Sequence, residues 1–227
     1  MFYEPLESRQ MFAITFTSVG NTLVVTGTSG DDEIWVDTNG AVFEFDIDRA
    51  VSFGPDVFID TTPFTTVEFQ LDNGNDYLNV YGATSKPMFV ECGDGNDDVW
   101  TGSGPDTVYG SAGADDIYTR SGNDWIDGER GDDYIDSDYD NDTVYGHDGA
   151  DTIWAGDGND SVEGGDGADS IRGEVGNDTL KGNANDDTLW GGSGNDSLDG
   201  GWGGDFIRGE SGSDTASGGL GNDDVIE

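Results

Sequence analysis

The sequence predicts an all-β chain: a parallel β-helix solenoid with 18-residue coils and wider capping coils at its N-terminal end. Three observations carry this. From Cys92 to Ile226 the chain divides into fifteen blocks of nine residues with no insertion or deletion. The sixth residue of every block is Asp. The eighth is Val, Ile or Leu in fourteen blocks, Ala216 being the exception.

Each part of the block has a physical reading. Positions seven to nine alternate polar, aliphatic, variable, the pattern of a short strand with one inward side chain. Positions one to six are glycine-rich, with Gly at position one in ten blocks and at position four in thirteen. Such a stretch turns the chain, because Gly reaches positive φ without steric cost. One strand and turn cannot bury a face alone. Two of them close a flattened coil, and stacked coils join Val99, Val108, Ile117, Ile126 and their successors into one core. Neighbouring strands are then parallel and about 4.8 Å apart.

The invariant aspartates fall on two edges of such a stack. Asp97, Asp115, Asp133, Asp151, Asp169, Asp187, Asp205 and Asp223 align along one edge. Asp106, Asp124, Asp142, Asp160, Asp178, Asp196 and Asp214 align along the other. Carboxylates one coil apart repel unless a cation lies between them. Carboxylate and carbonyl oxygens suit Ca²⁺, which accepts six to eight oxygen ligands in flexible geometry, better than Mg²⁺, which demands an octahedron. A single Cys and a single His exclude a zinc site of paired ligands. Turn capping alone would accept Asn or Ser somewhere in fifteen copies.

The block resembles the glycine-rich nonapeptide GGxGxDxUx of the RTX (repeats-in-toxin) family. The resemblance covers residues 92–226. It implies a right-handed parallel β-roll with multiple Ca²⁺ ions between consecutive turns on each edge, up to about 13 from the repeat blocks. It also implies bacterial secretion to an extracellular location and folding conditional on Ca²⁺. Carried over, the position-six aspartates are the side-chain ligands. The carbonyls of glycines such as Gly93, Gly95, Gly102, Gly104, Gly156, Gly158, Gly192 and Gly194 are the main-chain ligands. The blocks from Thr119 to Ala150 depart from the pattern, with Arg120, Glu129, Asp138 and His147 at position two and Asp140 at position four. Altered sites are expected there, and a looser C-terminal end around Ala216.

Upstream, Gly27–Trp35 and Leu71–Asn79 are isolated copies with Asp32 and Asp76 at position six. Asp76 is counted with the metal ligands. Their 44-residue separation, and the 21 residues from Leu71 to Cys92, predict coils wider than 18. Strand-like runs lie at Phe12–Thr17, Thr22–Thr26, Ala41–Ile47 and Thr65–Leu71. The division expected is a tail over 1–11, capping coils over 12–91 and the repeat roll over 92–227. A separate small β-domain is the competing reading of the second part. Residues 1–11 hold no hydrophobic core of a secretory signal. The last block ends one residue before Glu227, which leaves self-association at that end as a candidate interaction.

Composition excludes other classes. The chain has 49 acidic and 8 basic residues, a net charge of −41, so it cannot grip nucleic acid through phosphates. No apolar run approaches the roughly 20 residues of a membrane span. No nucleophile motif or H-E-x-x-H occurs, and no enzyme is expected. Asp136-Ser137-Asp138-Tyr139-Asp140 imitates the start of an EF-hand, but its twelfth position is His147 rather than Glu. His147 reads as a surface turn residue. Position nine faces outward and reads Trp100, Tyr118, Asp136, Trp154, Arg172, Trp190, Arg208 along one row. Two readings stand for this row: cross-strand stabilisation of a thin solenoid, or a face in which Trp100, Tyr118, Trp154 and Trp190 bind polysaccharide or a cell surface.

Overall fold

The computed structural model describes residues 15–39, 42–47, 57–60, 63–82 and 84–226. The expected tail over 1–11 and the run Phe12–Ile14 lie outside the described residues. The first strands are β1 (Thr15–Val19), β2 (Thr22–Thr26), β3 (Glu33–Asn39), β4 (Val42–Ile47), β5 (Val57–Asp60), β6 (Thr66–Gln70), β7 (Tyr77–Tyr81), β8 (Met88–Asp94) and β9 (Asp98–Trp100). From Asp98 onward each strand begins at position seven of a block, apart from the two-residue strand Leu220–Gly221.

The strands form two 12-stranded sheets. One runs β1-β2-β6-β8 and on through the strands at Thr107, Trp125, Thr143 and beyond. The other runs β5-β4-β3-β7-β9 and on through Asp116, Tyr134 and Thr152. Within the repeats every pairing is parallel and offset by 18 residues, as in Val108↔Ile126 and Ile117↔Ile135. The chain is therefore a β-roll of stacked coils, each contributing one strand to each sheet.

The N-terminal coils share these two sheets. β2 pairs in parallel with β6, β6 with β8, β3 with β7, and β7 with β9. The 44-residue coil is wide because β4 and β5 make an antiparallel excursion along the second sheet. β1 covers the edge of the first sheet, also antiparallel. An antiparallel strand thus forms the N-terminal end of each sheet, β1 on the first and β5 on the second.

The core follows the position-eight row. Thirteen of its aliphatic side chains, from Val99 to Ile207, are buried in one continuous cluster. Ala216 only packs against that cluster, and Val225, Ile226 and Leu220 are exposed. The C-terminal end is looser, as the Ala at position eight implies. The N-terminal coils carry more per coil: Leu23, Val25, Ile34, Val36, Val67, Phe69, Leu71, Leu78, Val80, Met88, Val90 and the free Cys92 are all buried in the same cluster.

Candidate metal centre

Stacking dictates where glycine is needed. At position four Gly131 has φ +133, and a Cβ there would lie 1.4 Å from the Gly113 carbonyl oxygen one coil back. Gly95, Gly113, Gly149, Gly167, Gly176, Gly194 and Gly212 repeat this at 1.3–1.7 Å. Their φ values, +145 to +154, lie in a region essentially closed to other residues. Where the chain places Asp140 and Asn185 at position four, the backbone changes to φ 79 and 80, the left-handed region such residues tolerate. Position two is more permissive: Ser111, Arg120, Glu129, Asp138, His147, Glu174, Asn183 and Glu210 all adopt φ between 67 and 81 there.

Position one is small for a different reason. A Cβ on Gly128, Gly146, Gly164, Gly182 or Gly200 would meet Oδ2 of the Asp in its own block at 2.2–2.4 Å. The turn is shaped around that carboxylate. Thr101, Thr119 and Ser137 also occupy position one, and the Thr101 and Ser137 hydroxyls donate to the Thr119 and Ala155 carbonyls one coil on, at 3.3 and 2.9 Å.

The position-six aspartates form two unbroken columns. From Asp115 and Asp124 onward, each Oδ1 accepts the main-chain N–H of the Asp one coil back: Asp97 N–H to Asp115 at 2.8 Å, Asp115 to Asp133 at 2.9 Å, Asp124 to Asp142 at 2.8 Å, and so on to Asp214 and Asp223. On the first edge the column continues beyond the repeats, with Asp76 N–H donating to Asp97 at 2.7 Å and Asp32 N–H to Asp76 at 2.6 Å. Both breaks in spacing, 21 and 44 residues, are absorbed without losing the register. Asp32 is a column member that the sequence reading left outside its metal set. The signal for it was its own position-six frame.

The second oxygen of each carboxylate is the decisive feature. Oδ2 of Asp97, Asp106, Asp115, Asp124, Asp133, Asp142, Asp151, Asp160, Asp169, Asp178, Asp187, Asp196 and Asp205 is buried with no hydrogen-bond partner, as is that of Asp76. A buried unsatisfied charged oxygen is among the costliest groups a fold can contain. Neighbouring carboxylates about one coil apart also repel by about 3 kcal/mol per pair at an effective dielectric of 20. Burial is the first cause of the raised carboxyl pKa values along both columns: Asp133 and Asp142 are pushed up to about 8, Asp76, Asp106, Asp115, Asp160, Asp169 and Asp187 to about 7, and Asp97, Asp124, Asp151 and Asp178 to about 6. Among the described residues no three His, Cys, Asp or Glu side chains converge on one point. A cation here would combine column carboxylates with main-chain carbonyls, an all-oxygen donor set. Position-four carbonyls such as Gly95, Gly158 and Gly194 point at the next coil's turn, against Gly113, Gly176 and Gly212. The carbonyl of Gly156 accepts the Val175 N–H at 2.9 Å.

A model of the RTX calcium-binding nonapeptide repeat matches residues 93–226 in eight overlapping segments. The chain belongs to this family. Its matched segments span well over half the sequence and coincide with the Asp columns, so the β-roll is a calcium-binding one. A search of curated proteins found no match to the chain. Among the described residues no helix is long and apolar enough to cross a membrane.

The poor-glycine stretch keeps both columns, since Asp124, Asp133, Asp142 and Asp151 all retain an unpartnered oxygen. What changes is the turn: Asp140 redirects the main chain, and His147 lies 3.1 Å from Asp127 and stacks beside Tyr145. The sequence reading also passed over an exposed amide ladder on the second edge. Asn141, Asn159, Asn177 and Asn195 each accept at Oδ1 the position-five N–H of the next coil, at 2.9–3.0 Å.

The outward row of position nine lines up as expected, Trp100 beside Tyr118 and Trp154 beside Arg172. Its rings face one another. Trp100 and Tyr118 stack at 4.8 Å and 3°, and Arg172 lies between Trp154 and Trp190 at 5.3 and 4.6 Å. Position-seven rings, which the row-nine reading missed, fill the gaps: Tyr77 against Trp100 at 5.3 Å, and Tyr134 between Tyr118 and Trp154 at 5.6 and 6.4 Å. A second ladder on the other sheet joins Phe89, Tyr109, Trp125 and Tyr145. Such contacts are those of cross-strand stabilisation.

Proposed function

We propose that this protein is a non-enzymatic, extracellular Ca²⁺-conditional β-roll of bacterial origin, in which the two Asp columns hold the ions and make folding of the repeats depend on them. The observation that carries this is the set of thirteen repeat carboxylates with a buried, unpartnered oxygen. One ion between each successive pair would neutralise them. The thirteen pairs within the repeats set the expected order of the stoichiometry, with Asp76 adding one more on the first edge. The position-six carboxylates and carbonyls of Gly93, Gly95, Gly102, Gly104, Gly156, Gly158, Gly192 and Gly194 are the assigned donors.

The repeats bury one aliphatic side chain per nine residues, little against the entropy of ordering nine residues. Metal binding free energy then acts as folding free energy. In a cytoplasm poor in Ca²⁺ the acidic repeats remain unfolded and exportable, and they fold on reaching a Ca²⁺-rich exterior. Equilibrium dialysis against buffered Ca²⁺ tests the assignment. On the order of ten ions retained per chain is expected, from the oxygen-ligand chemistry of these turns. One or two ions, or none, would contradict it.

A further inference from the structure

The columns are unequal at the N-terminal end. On the first edge the carboxylates run back to Asp76 and Asp32. On the second edge they stop at Asp106. Residues 84–91 lie in the preceding nine-residue frame, as Phe89↔Thr107 and Val90↔Val108 show. Position six of that frame is Met88. Its N–H donates to Asp106 Oδ1 at 2.8 Å, as an Asp N–H does elsewhere, but its side chain is a buried core thioether.

Basic side chains bind main-chain oxygens beside this position. Lys86 Nζ donates to the Phe64 carbonyl at 2.7 Å. Arg120, at position two of the next turn but one, reaches back to the Val80 carbonyl at 2.6 Å. The orphan oxygens divide in the same way. Among the described residues before Cys92, only Asp76 has a buried carboxylate oxygen without a partner. Asp32 is satisfied locally, by the Thr28 N–H at 2.6 Å and the Thr28 hydroxyl at 3.2 Å. Eleven buried apolar residues pack between Leu23 and Val90.

We propose that the N-terminal coils, built on β2, β3, β6, β7 and the start of β8, fold without metal and form the fixed edge on which the metal-dependent repeats assemble toward the C-terminus. This rests on the Ca²⁺-conditional reading of the repeats and adds a direction to it. On the second edge Met88 leaves one carboxylate fewer to neutralise, and Lys86 and Arg120 satisfy main-chain oxygens of these coils without a metal ion. A roll grown from a formed edge avoids nucleating its first coil, the costly step in a repeat array.

Hydrogen exchange on the full chain, read by mass spectrometry at neutral pH, tests this. In chelator, peptides covering 22–26, 66–70, 77–81 and 88–91 should exchange about 100-fold or more slower than those covering 107–112 and 170–175, as independently stable units do. In Ca²⁺ all should be slow. Fast exchange everywhere in chelator, with slow repeats in Ca²⁺, would overturn the proposal and leave the Ca²⁺-conditional reading intact. Slow exchange everywhere in chelator would overturn both. Two variants separate the roles. Phe69→Leu should raise the Ca²⁺ concentration needed to protect the repeats. Ile171→Ala should leave N-terminal protection in chelator unchanged, and a loss there would overturn the proposal.

Discussion

Replacing Gly131 by Ala tests the stacking account of the turns. The added Cβ lies 1.4 Å from the Gly113 oxygen and 2.4 Å from its carbon. Both atoms are main chain, so no side-chain rotation relieves the contact. If the turn keeps its shape, the strained φ of +133 costs about 1–3 kcal/mol and the overpacked gap about 1–3 kcal/mol more. If the turn converts to the form seen at Asp140 and Asn185, Ala in the left-handed region costs about 1–2 kcal/mol. Gly131→Asn should do less harm than Gly131→Ala, because Asn tolerates that form and Asn185 already adopts it at φ 80. Gly30→Ala is the control: no atom lies within 4 Å of its Cβ. Thermal unfolding in saturating Ca²⁺ should place Gly131→Ala on the order of 10 °C below the parent, Gly131→Asn between them, and Gly30→Ala within error. Equal midpoints for Gly131→Ala and Gly30→Ala, or Asn worse than Ala, would refute the reasoning.

Other outcomes follow from the same geometry. Asp133→Asn keeps an acceptor for the Asp115 N–H but removes one buried charge. It should stabilise the metal-free chain, destabilise the Ca²⁺-loaded chain, and lower the number of bound ions, as measured by dialysis and urea unfolding with and without chelator. Trp100→Ala removes stacking on Tyr118 and Tyr77 and should cost about 1–3 kcal/mol with the ion count unchanged. The metal-free repeats should gain structure on acidification. Column carboxyl pKa values raised in the fold, such as Asp133 to about 8 and Asp115 to about 7, give stability that is full below the ordinary value of 3.8 and lost as pH rises through 6 to 8. Circular dichroism in chelator should therefore show more β-structure near pH 4 than at pH 8, and the reverse trend would contradict the burial of these carboxylates.

The repeat roll was legible because one side chain per block decides each feature: an aliphatic at position eight for the core, an Asp at position six for the edge. The N-terminal coils were less so. Alternation in Ala41–Ile47 marks a strand, but not that β4 and β5 double back antiparallel on β3. The frame over 84–91 was hidden because Met88 stands where every later block has Asp and Pro87 stands where later blocks favour Asn. Gly at position one was legible as a turn signal, whereas its reason, room for the Asp carboxylate, is a contact only the fold reveals. The aromatic ladders draw on positions seven and nine of successive coils, so a reading of one row saw only half of each.

The central claim is that cations in the Asp columns make the repeats fold. Far-ultraviolet circular dichroism during a Ca²⁺ titration at neutral pH, with Mg²⁺ as control, tests it most directly. The account predicts a largely unstructured repeat region in chelator, a cooperative gain of β-structure with Ca²⁺, and little change with Mg²⁺. A spectrum already rich in β-structure in chelator and unchanged by Ca²⁺ would contradict it.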